Sequence, residues 1–478
     1  IECLPWKWHA EHPTGDIIQR CTSDVERIKM FFQEQFISVF QIIVRIVLAL
    51  TLMTVMNAKL SVVAWVIAPV IVLYSVLFHN KIRARFTECD ENEGVLSTIA
   101  QENLTGVRVV RAFGREKFER DRFETQNNKY TECWISLTRT LSDFWAVGDF
   151  TSCLQILLVV VLGTVSCVNG NLTAGEFVSF SLYNTMLIGP VRRLGRIISE
   201  MSKAGVSIDR LGEVLEAAVE QDAPDAAEAP MDRDIAFENV SFRYGEDGPD
   251  VLENVSFTVP AGKSFGILGG TGSAKSTLVQ LIPRLYDTTH GTVKVGGVDV
   301  RDYDIEALRD QVAMVLQKNV LFSGTIKENL RWGDENASDE ELERVCRLAQ
   351  ADEFIQQMPD KYDTHIEQGG SNVSGGQKQR LCIARALLKK PKILILDDST
   401  SAVDTKTDAL IRKAFAEEIP DTTKIIIAQR VSSVQDADQI VILDGGTVQA
   451  VGTHDELLAA NTIYQEIYNQ QNRKGGEE

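Results

Sequence analysis

Long uninterrupted apolar stretches occur only in the first part of the chain, before about residue 205. Residues 36–58 and 61–79 form one closely spaced pair of stretches, and residues 150–169 and 172–191 form another around a short Asn-Gly-Asn turn. Each stretch is close to the ~20 residues that an α-helix needs to cross a bilayer. The pattern predicts four membrane spans in two helical hairpins. Buried core helices are the alternative, which the length and pairing of the stretches disfavour.

The polar segment between the two pairs differs from the hairpin tips in charge. It is rich in arginine and lysine from Lys81 to Arg139, whereas the tips carry only Lys59 and Glu176. An excess of these cations marks the cytoplasmic side of a membrane protein. Residues 82–133 contain no proline and few glycines. They therefore predict helices that extend beyond the membrane on the cytoplasmic side.

The second half of the chain alternates short apolar runs with helical patterns, for example KSFGILGG, KILILDD and KIIIAQ. This alternation, over residues 234–470, is typical of an α/β domain with a largely parallel sheet. An acidic segment with alanine and proline at 216–233 predicts a linker, and residues 471–478 form a polar tail. Residues 1–215 are predicted to form the α-helical transmembrane domain.

Composition narrows the function classes. The net charge of -18 argues against a nucleic-acid binder, so we expect no nucleic-acid partner. Eight cysteines lie scattered without a Cys-x-x-Cys pair, which indicates reduced thiols rather than a metal site. The chain begins at Ile1 without a methionine, and we expect an N-terminal portion of the protein to be missing.

A glycine-rich stretch, GILGGTGSAKST at residues 266–277, follows one apolar run and opens a helical pattern. It matches the phosphate-binding loop G-x-x-x-x-G-K-[ST] except that Ala274 replaces the last glycine, and a glycine-rich turn with a chance lysine is the disfavoured alternative. Lys275 would reach the β and γ phosphates of ATP, and Ser276 would hold Mg²⁺. The predicted ATP-binding residues of this loop are Gly269, Gly270, Thr271, Gly272, Ser273, Ala274, Lys275, Ser276 and Thr277.

Two aspartates end the apolar run ILILDD. Asp397 is the expected partner of Mg²⁺, either directly or through a bound water, because such folds place an aspartate at the end of a buried strand beside the phosphate loop. Ala274 adds a methyl group to this loop, and a positive φ there would cost ~1 kcal/mol. We expect nucleotide binding to survive that cost.

The stretch SNVSGGQKQRLCIARALLKKPKILILDD, residues 371–398, closely resembles the signature region of the ATP-binding cassette (ABC) superfamily. The resemblance covers about 235–470 and implies a cassette with a helical signature subdomain. It also implies that Tyr244 stacks on adenine and that Gln317 is the glutamine-loop residue, which contacts Mg²⁺ and belongs to the catalytic residues. The implied signature residues, which face a partner's ATP, are Val373, Ser374, Gly375, Gly376 and Gln377, and the implied dimer loop contains Ser401 and Asp404.

Residues 11–26 and 101–119 look like the cytoplasmic coupling regions of ABC exporters that carry a membrane domain ahead of the cassette. The resemblance implies six spans in such a half-transporter, so four of the six would be present here. It further implies ATP hydrolysis with Mg²⁺ at a cassette dimer, where the phosphate loop of one cassette faces the signature of the other.

Two positions depart from the family pattern together. Most ABC cassettes carry a glutamate after the strand-terminal aspartate and a histidine in the switch strand, whereas this chain has Asp398 and Gln429. In the family pattern the glutamate activates the attacking water, and a carboxylate one methylene shorter would lie ~1.5 Å further from it, the length of one carbon-carbon bond. A glutamine side chain cannot take up or release a proton as a histidine can. Loss of a general base typically costs about 10² to 10⁴ in rate. The alternative is that Asp398 simply substitutes as the base.

These features predict the degenerate-site half of a heterodimeric exporter, which would move an amphipathic, drug-like, lipid or peptide solute across the plasma membrane with its cassette in the cytoplasm. Three alternatives remain open. One is a homodimeric exporter with Asp398 as base, and another is a non-transporting regulator. The third, a soluble ABC ATPase acting on nucleic acid, is disfavoured by the predicted spans.

Overall fold

The computed structural model of the chain describes residues 1–224, 226–227, 231–245, 248–398 and 403–474. The chain divides into two compact units. One unit is helical and comprises Pro13–Ala217. The other combines Ile1–His12 with the described residues from Ala218 onward, and it contains the strands.

Helices make up most of the chain up to Glu216. Their bounds are α1 Trp6–Glu11, α2 Thr14–Gln19, α3 Val25–Met30, α4 Phe36–Met56, α5 Ala58–Thr105, α6 Val107–Ala112, α7 Glu116–Val168 and α8 Ala174–Glu216. Two π-helical turns, Arg20–Asp24 and Phe31–Gln35, connect α2, α3 and α4 without a break. The membrane-type unit is therefore built from a few very long helices.

Within the described residues, three helices are long and apolar enough to cross a membrane: Thr14–Met56, Ala58–Thr105 and Glu116–Val168. The first three predicted spans fall on these helices, apart from one or two residues at the ends of 36–58 and 150–169. The fourth predicted span, 172–191, falls in the first part of α8, which is not among those three helices. That span stays a prediction.

Polar caps and one close contact shape this unit. Asn57 separates α4 from α5, and its side chain accepts a hydrogen bond from the backbone of Leu60 at 3.0 Å. Thr173 and Glu176 form a capping box at the start of α8. Gly163 of α7 allows close approach of α8, because a Cβ there would lie 2.6 Å from the Phe177 ring.

The α5 and α7 helices continue well past their apolar parts, as the polar segment 82–133 predicts. Hydrogen bonds join them there: Gln126 donates to the backbone carbonyl and side-chain oxygen of Asn92, at 3.2 and 3.1 Å. Asn103 donates to Glu119 at 2.8 Å. Polar contacts therefore help to hold this part of the helical unit, alongside the buried side chains of Cys89 and Ile99.

The second unit contains two main sheets. Its strands are β1 Ile235–Phe242, β2 Leu252–Val259, β3 Ser264–Gly269, β4 His290–Val295, β5 Val298–Asp299, β6 Val312–Val315, β7 Gly324–Thr325, β8 His365–Ile366, β9 Ile393–Asp397, β10 Thr423–Ala428, β11 Gln439–Asp444 and β12 Thr447–Gly452. Six strands form one sheet in the order β12-β11-β3-β10-β9-β6, parallel except for β12. This confirms the predicted α/β class.

The run IAFENVSF is β1, and it belongs to a separate antiparallel sheet of order β2-β1-β4-β5. The remaining strands β7 and β8 pair with each other. The remaining helices are α9 Lys275–Gln280, α10 Ile305–Gln311, α11 Ile326–Leu330, α12 Asp339–Leu348, α13 Asp352–Gln356, α14 Gly375–Leu388, α15 Thr405–Glu418, α16 His454–Ala460 and α17 Thr462–Lys474.

The central strands β3, β10 and β9 are almost fully buried and run parallel. Their carboxyl ends therefore meet at one edge of the sheet, where ligands bind in open α/β folds. Two described residues of the predicted linker pack within this unit: the Glu220 carboxylate pairs with Arg309 at 2.6 Å, and Met231 is buried in its core. All eight cysteines are free thiols.

Candidate active site

The phosphate loop runs from the end of β3 to the start of α9. Gly272 and Ala274 both have positive φ, +83° and +66°. Ala274 therefore adopts the left-handed conformation that disfavours a side chain by about 1 kcal/mol or more. Gly269 has no room for a side chain, because a Cβ would lie 2.6 Å from the Ser273 hydroxyl and still closer to the Leu443 carbonyl.

Lys275 is buried inside this loop. Its ammonium donates to the carbonyls of Gly269 and Gly270, at 2.9 and 2.7 Å, and to the Ser273 hydroxyl at 3.2 Å. Burial lowers the pKa of Lys275, and the nearby carboxylates of Asp397 and Asp398 oppose that shift. The loop thus fixes the Lys275 ammonium at the position where a phosphate-binding loop needs a positive charge.

Asp397 ends β9 and is 4% exposed. Burial raises the pKa of its carboxyl, Asp398 adds to the increase, and a hydrogen bond from Ser276 and the charge of Lys275 oppose it. Hydroxyl and carboxylate oxygens are the ligands that Mg²⁺ accepts while it keeps several waters. The pair Ser276 and Asp397 therefore fits the predicted cation, although no cluster of three His, Cys, Asp or Glu occurs in the described part of the chain.

The three predicted catalytic residues come together at Asp398. Gln429 donates a hydrogen bond from its amide to the Asp398 carboxylate at 3.3 Å, and the Gln317 side chain donates to the same carboxyl. Burial raises the pKa of Asp398, opposed by Gln317 and by the charges of Lys275 and Arg430. Asp398 has a φ of +47°. The Asp398 carboxyl is thus held by two neutral side-chain amides, which cannot take up or release a proton during catalysis.

Tyr244 lies beside the loop with its ring 45% exposed. Its hydroxyl is 2.7 Å from the Thr277 hydroxyl, and its ring meets Tyr286 edge to face with 5.3 Å between centroids. Tyr286 was not predicted from the sequence, where an isolated tyrosine carries no motif. The two rings border a cavity of about 600 Å³, which offers aromatic surface for a base.

The signature residues begin α14. The Ser374 hydroxyl accepts a hydrogen bond from the Gln377 backbone at 3.3 Å, and the Gln377 side chain accepts one from the Ser374 backbone at 2.9 Å. This capping box fixes the turn while Ser374 and Gly375 remain exposed. Val373 and Gly376 flank them with intermediate exposure. The described signature is therefore an ordered helix start that faces outward.

Comparison with known proteins identifies the family. Residues 3–191 match the ABC transporter transmembrane region family, and residues 252–401 match the ABC transporter family. The chain is 34% identical over 474 residues to the putative multidrug export ATP-binding/permease protein YgaD of Bacillus subtilis, across 99% of this chain and 82% of that protein. The chain belongs to the ABC exporters.

A second relative of this exporter chain is the ATP-dependent lipid A-core flippase of Desulfotalea psychrophila, 33% identical across 96% of this chain and 80% of the flippase. A solved structure of a bacterial Atm1-family ABC exporter with ATP bound aligns with a TM-score of 0.85 at 26% identity, across 98% of this chain and 83% of that one. The exporter thus has a membrane domain fused to an ATPase cassette, and such cassettes work as dimers.

The predicted dimer loop of the exporter is only partly described. Asp404 caps α15: it accepts hydrogen bonds from the backbone and hydroxyl of Thr407, at 3.0 and 2.7 Å. The backbone bond, together with the hydroxyl bond, holds the pKa of Asp404 below its ordinary value. Ser401 lies outside the described residues. The role of this loop at a dimer interface stays a prediction.

Sequence reasoning missed two glutamines of the exporter cassette that contact this site. Gln379 of α14 is 2% exposed and donates to the Asp398 backbone carbonyl at 3.3 Å. Gln471 of α17 donates to the Gln429 carbonyl at 2.8 Å and accepts from the Val431 backbone at 2.9 Å. A hydrogen bond from a glutamine side chain to the backbone of a distant segment produces no recognisable motif, so the sequence contains no signal for these two residues.

Proposed function

We propose that this exporter chain is the half of a heterodimeric transporter that contributes the degenerate ATP site. The observation that carries the proposal is the hydrogen bond from Gln429 to the Asp398 carboxylate at 3.3 Å. The two positions that depart from the family pattern thus contact each other. One neutral amide stands where the resemblance implies a proton-carrying histidine.

The chemistry of Asp398 supports a poor base. Its raised pKa makes the carboxylate somewhat more basic. Two amide donors, from Gln317 and Gln429, engage the same carboxylate, and the side chain is one methylene shorter than glutamate. Geometry decides before basicity in general base catalysis, because the base must reach the water. We therefore weigh the shortened reach above the raised pKa.

Nucleotide binding is proposed to persist at this site. Lys275 and the loop amides would bind the phosphates, and Tyr244 would stack on adenine, with its exposed ring beside the cavity. Ser276, Gln317 and Asp397 would hold Mg²⁺. When bound, the cation neutralises charge on the phosphate oxygens. The strain at Ala274 weakens this arrangement by only about 1 kcal/mol.

The competent ATP site would combine Ser374, Gly375 and Gly376 of this chain with the phosphate loop, glutamate and histidine of a partner half-transporter. The exposed, capped start of α14 suits that role, since backbone amides at a helix start favour anions. ATP bound at the degenerate site would then stabilise the cassette pair without being hydrolysed quickly.

For cargo, we propose an amphipathic solute such as a drug-like molecule, a lipid or a peptide. The names of the relatives, multidrug export and lipid A-core flippase, support this class. The Lys and Arg excess of the segment between the predicted hairpins favours a cytoplasmic cassette, and the proposed location of the exporter is the plasma membrane.

The experiment is ATP-driven solute movement in inverted vesicles that contain this chain with and without a co-expressed partner half-transporter. Turnover and transport should require the partner, while ATP binding by this chain alone should persist. A vigorous ATPase of this chain without any partner would overturn the proposal and favour the homodimer with Asp398 as base.

A further inference from the structure

The C-terminal helix α17 contacts the switch segment, which we define as Gln429–Val431. Gln471 makes two hydrogen bonds to the backbone there, as donor to the Gln429 carbonyl at 2.8 Å and as acceptor from the Val431 amide at 2.9 Å. One side chain thus binds both ends of the three-residue segment. This arrangement fixes the backbone from which the Gln429 side chain projects.

The start of α17 is anchored independently. Tyr464 is fully buried, and its hydroxyl lies 2.6 Å from Nδ1 of His454 in the preceding helix. Tyr464 also belongs to an apolar cluster with Val431 and Leu457. Gln471 lies seven residues after Tyr464, about two turns along the same helix face. A well-packed ring thus determines where the Gln471 amide lies.

The contacts continue to the ATP site. Gln429 donates from its side chain to Asp398 at 3.3 Å while its carbonyl accepts from Gln471. Val431 is buried, whereas Gln429 and Arg430 are exposed. Packing therefore holds the Val431 end of the segment, and the bond from Gln471 adds a restraint at the exposed Gln429 end.

We propose that Gln471 is a positioning residue, through which the docking of α17 sets how long this chain's ATP site retains its nucleotide. The inference rests on the proposed placement of Gln429 and Asp398 beside the nucleotide. A merely structural role for Gln471 would instead lower the stability of the cassette and leave nucleotide retention in the folded protein unchanged.

The test uses Gln471→Leu in the purified heterodimer, with Gln470→Leu as the matched control, because Gln470 is the exposed neighbour on the same helix. Retention of photoreactive 8-azido-ATP with Mg²⁺ is measured separately on the two chains after dilution into ATP. Gln471→Leu should speed nucleotide loss from this chain about 3- to 10-fold, the size of one ordinary hydrogen bond. The partner chain and the control should be unaffected.

Hydrogen exchange of the Val431 amide provides the second readout and needs no nucleotide. It should accelerate in Gln471→Leu and not in Gln470→Leu. If Gln471→Leu does not fold, Gln471→Glu takes its place, because its carboxylate still accepts from Val431 but sets an acceptor that repels the Gln429 carbonyl in place of the donor. The Glu variant should speed nucleotide loss in the same direction.

Faster exchange at Val431 with unchanged nucleotide retention would overturn the inference, since the contact would then not act on the site. Unchanged exchange would overturn it as well. Neither result bears on the degenerate-site proposal, which depends on how turnover responds to Asp398→Ala. Faster nucleotide loss in both Gln471→Leu and Gln470→Leu would point to general loosening of α17 and would also overturn it.

Discussion

The phosphate side and the signature side of this cassette differ in how they are built. The phosphate side is charged, with Lys275 and Asp397 buried and Asp398 half-buried, and burial shifts the pKa of all three. The signature side is an exposed helix start without a titratable group between Ser374 and Gln377. The departures from the family pattern, at Ala274, Asp398 and Gln429, all lie on the phosphate side.

This contrast has a simple physical meaning if the two sides serve different ATP molecules. A site that only binds nucleotide tolerates a strained loop residue and a short carboxylate. A site that hydrolyses nucleotide needs an intact surface opposite the γ-phosphate. Under the proposed function, the intact signature would serve hydrolysis of the partner's nucleotide, and the altered phosphate side would only have to bind this chain's own.

The largest expected effect comes from Gly375→Asp on the signature side. It would place a carboxylate against the γ-phosphate at the partner's site, and like charges repel most strongly where water is excluded. Steady-state ATPase of the heterodimer should fall to background. The control is Gly375→Ala, which adds bulk without charge at a helical position and should retain measurable turnover. Equal loss in both variants would show that bulk, not charge, is responsible.

A smaller effect is expected from Lys275→Ala on the phosphate side. A hydrogen bond to a charged group contributes ~1.5–3 kcal/mol. The affinity of this chain's site for nucleotide should therefore fall by about 10- to 100-fold, with a matching loss of occupancy at limiting nucleotide. Photolabelling with 8-azido-ATP, resolved by chain, measures that occupancy. Turnover should persist in part, because the partner's loop is unchanged.

The control for that measurement is Lys263→Ala, which removes an exposed lysine whose nearest carboxylate, Asp438, is 3.8 Å away. Nucleotide occupancy of this chain's ATP site in Lys263→Ala should match that of the unmodified exporter. Complete loss of turnover in Lys275→Ala, together with normal Lys263→Ala, would show that turnover strictly requires nucleotide at this chain's site and would contradict the expected partial activity.

A third, still smaller effect is expected from Ala274→Gly. The φ of +66° at Ala274 disfavours a side chain, so glycine should stabilise the cassette by up to about 1 kcal/mol, partly offset by its greater freedom when unfolded. Thermal unfolding of the exporter measures the change. Ala459→Gly, in the exposed part of α16, should do the opposite and destabilise by roughly 0.5–1 kcal/mol. A lower melting temperature for Ala274→Gly would contradict the assignment of strain.

Much of this fold could be predicted from local patterns. Apolar stretches of bilayer length indicated the long helices, and the run ILILDD indicated a buried strand that places Asp397 beside the phosphate loop. The antiparallel sheet was not predicted, because β1 resembles other short apolar runs and its partners depend on long-range pairing. The strain at Ala274 could be predicted only for the case of a positive φ, because the sequence alone does not give the conformation of the loop.

The candidate site was predicted as far as motifs extend. Residues within one loop, such as Lys275 and Ser276, share a fixed spacing and are found from sequence. The contacts of Gln379 and Gln471 with the site are made to backbone atoms of distant segments. No residue type or spacing records such contacts, so the structure was needed to reveal them.

The smallest predicted change in turnover tests the central claim most directly. Steady-state ATPase is measured on purified heterodimers that carry Asp398→Ala in this chain alone. If this chain's phosphate side only binds nucleotide, turnover should change far less than the ~10² or more that loss of a working general base costs. If Asp398→Ala is as inactive as Gly375→Asp, then Asp398 is the catalytic base and the two sides of this cassette do not differ in function.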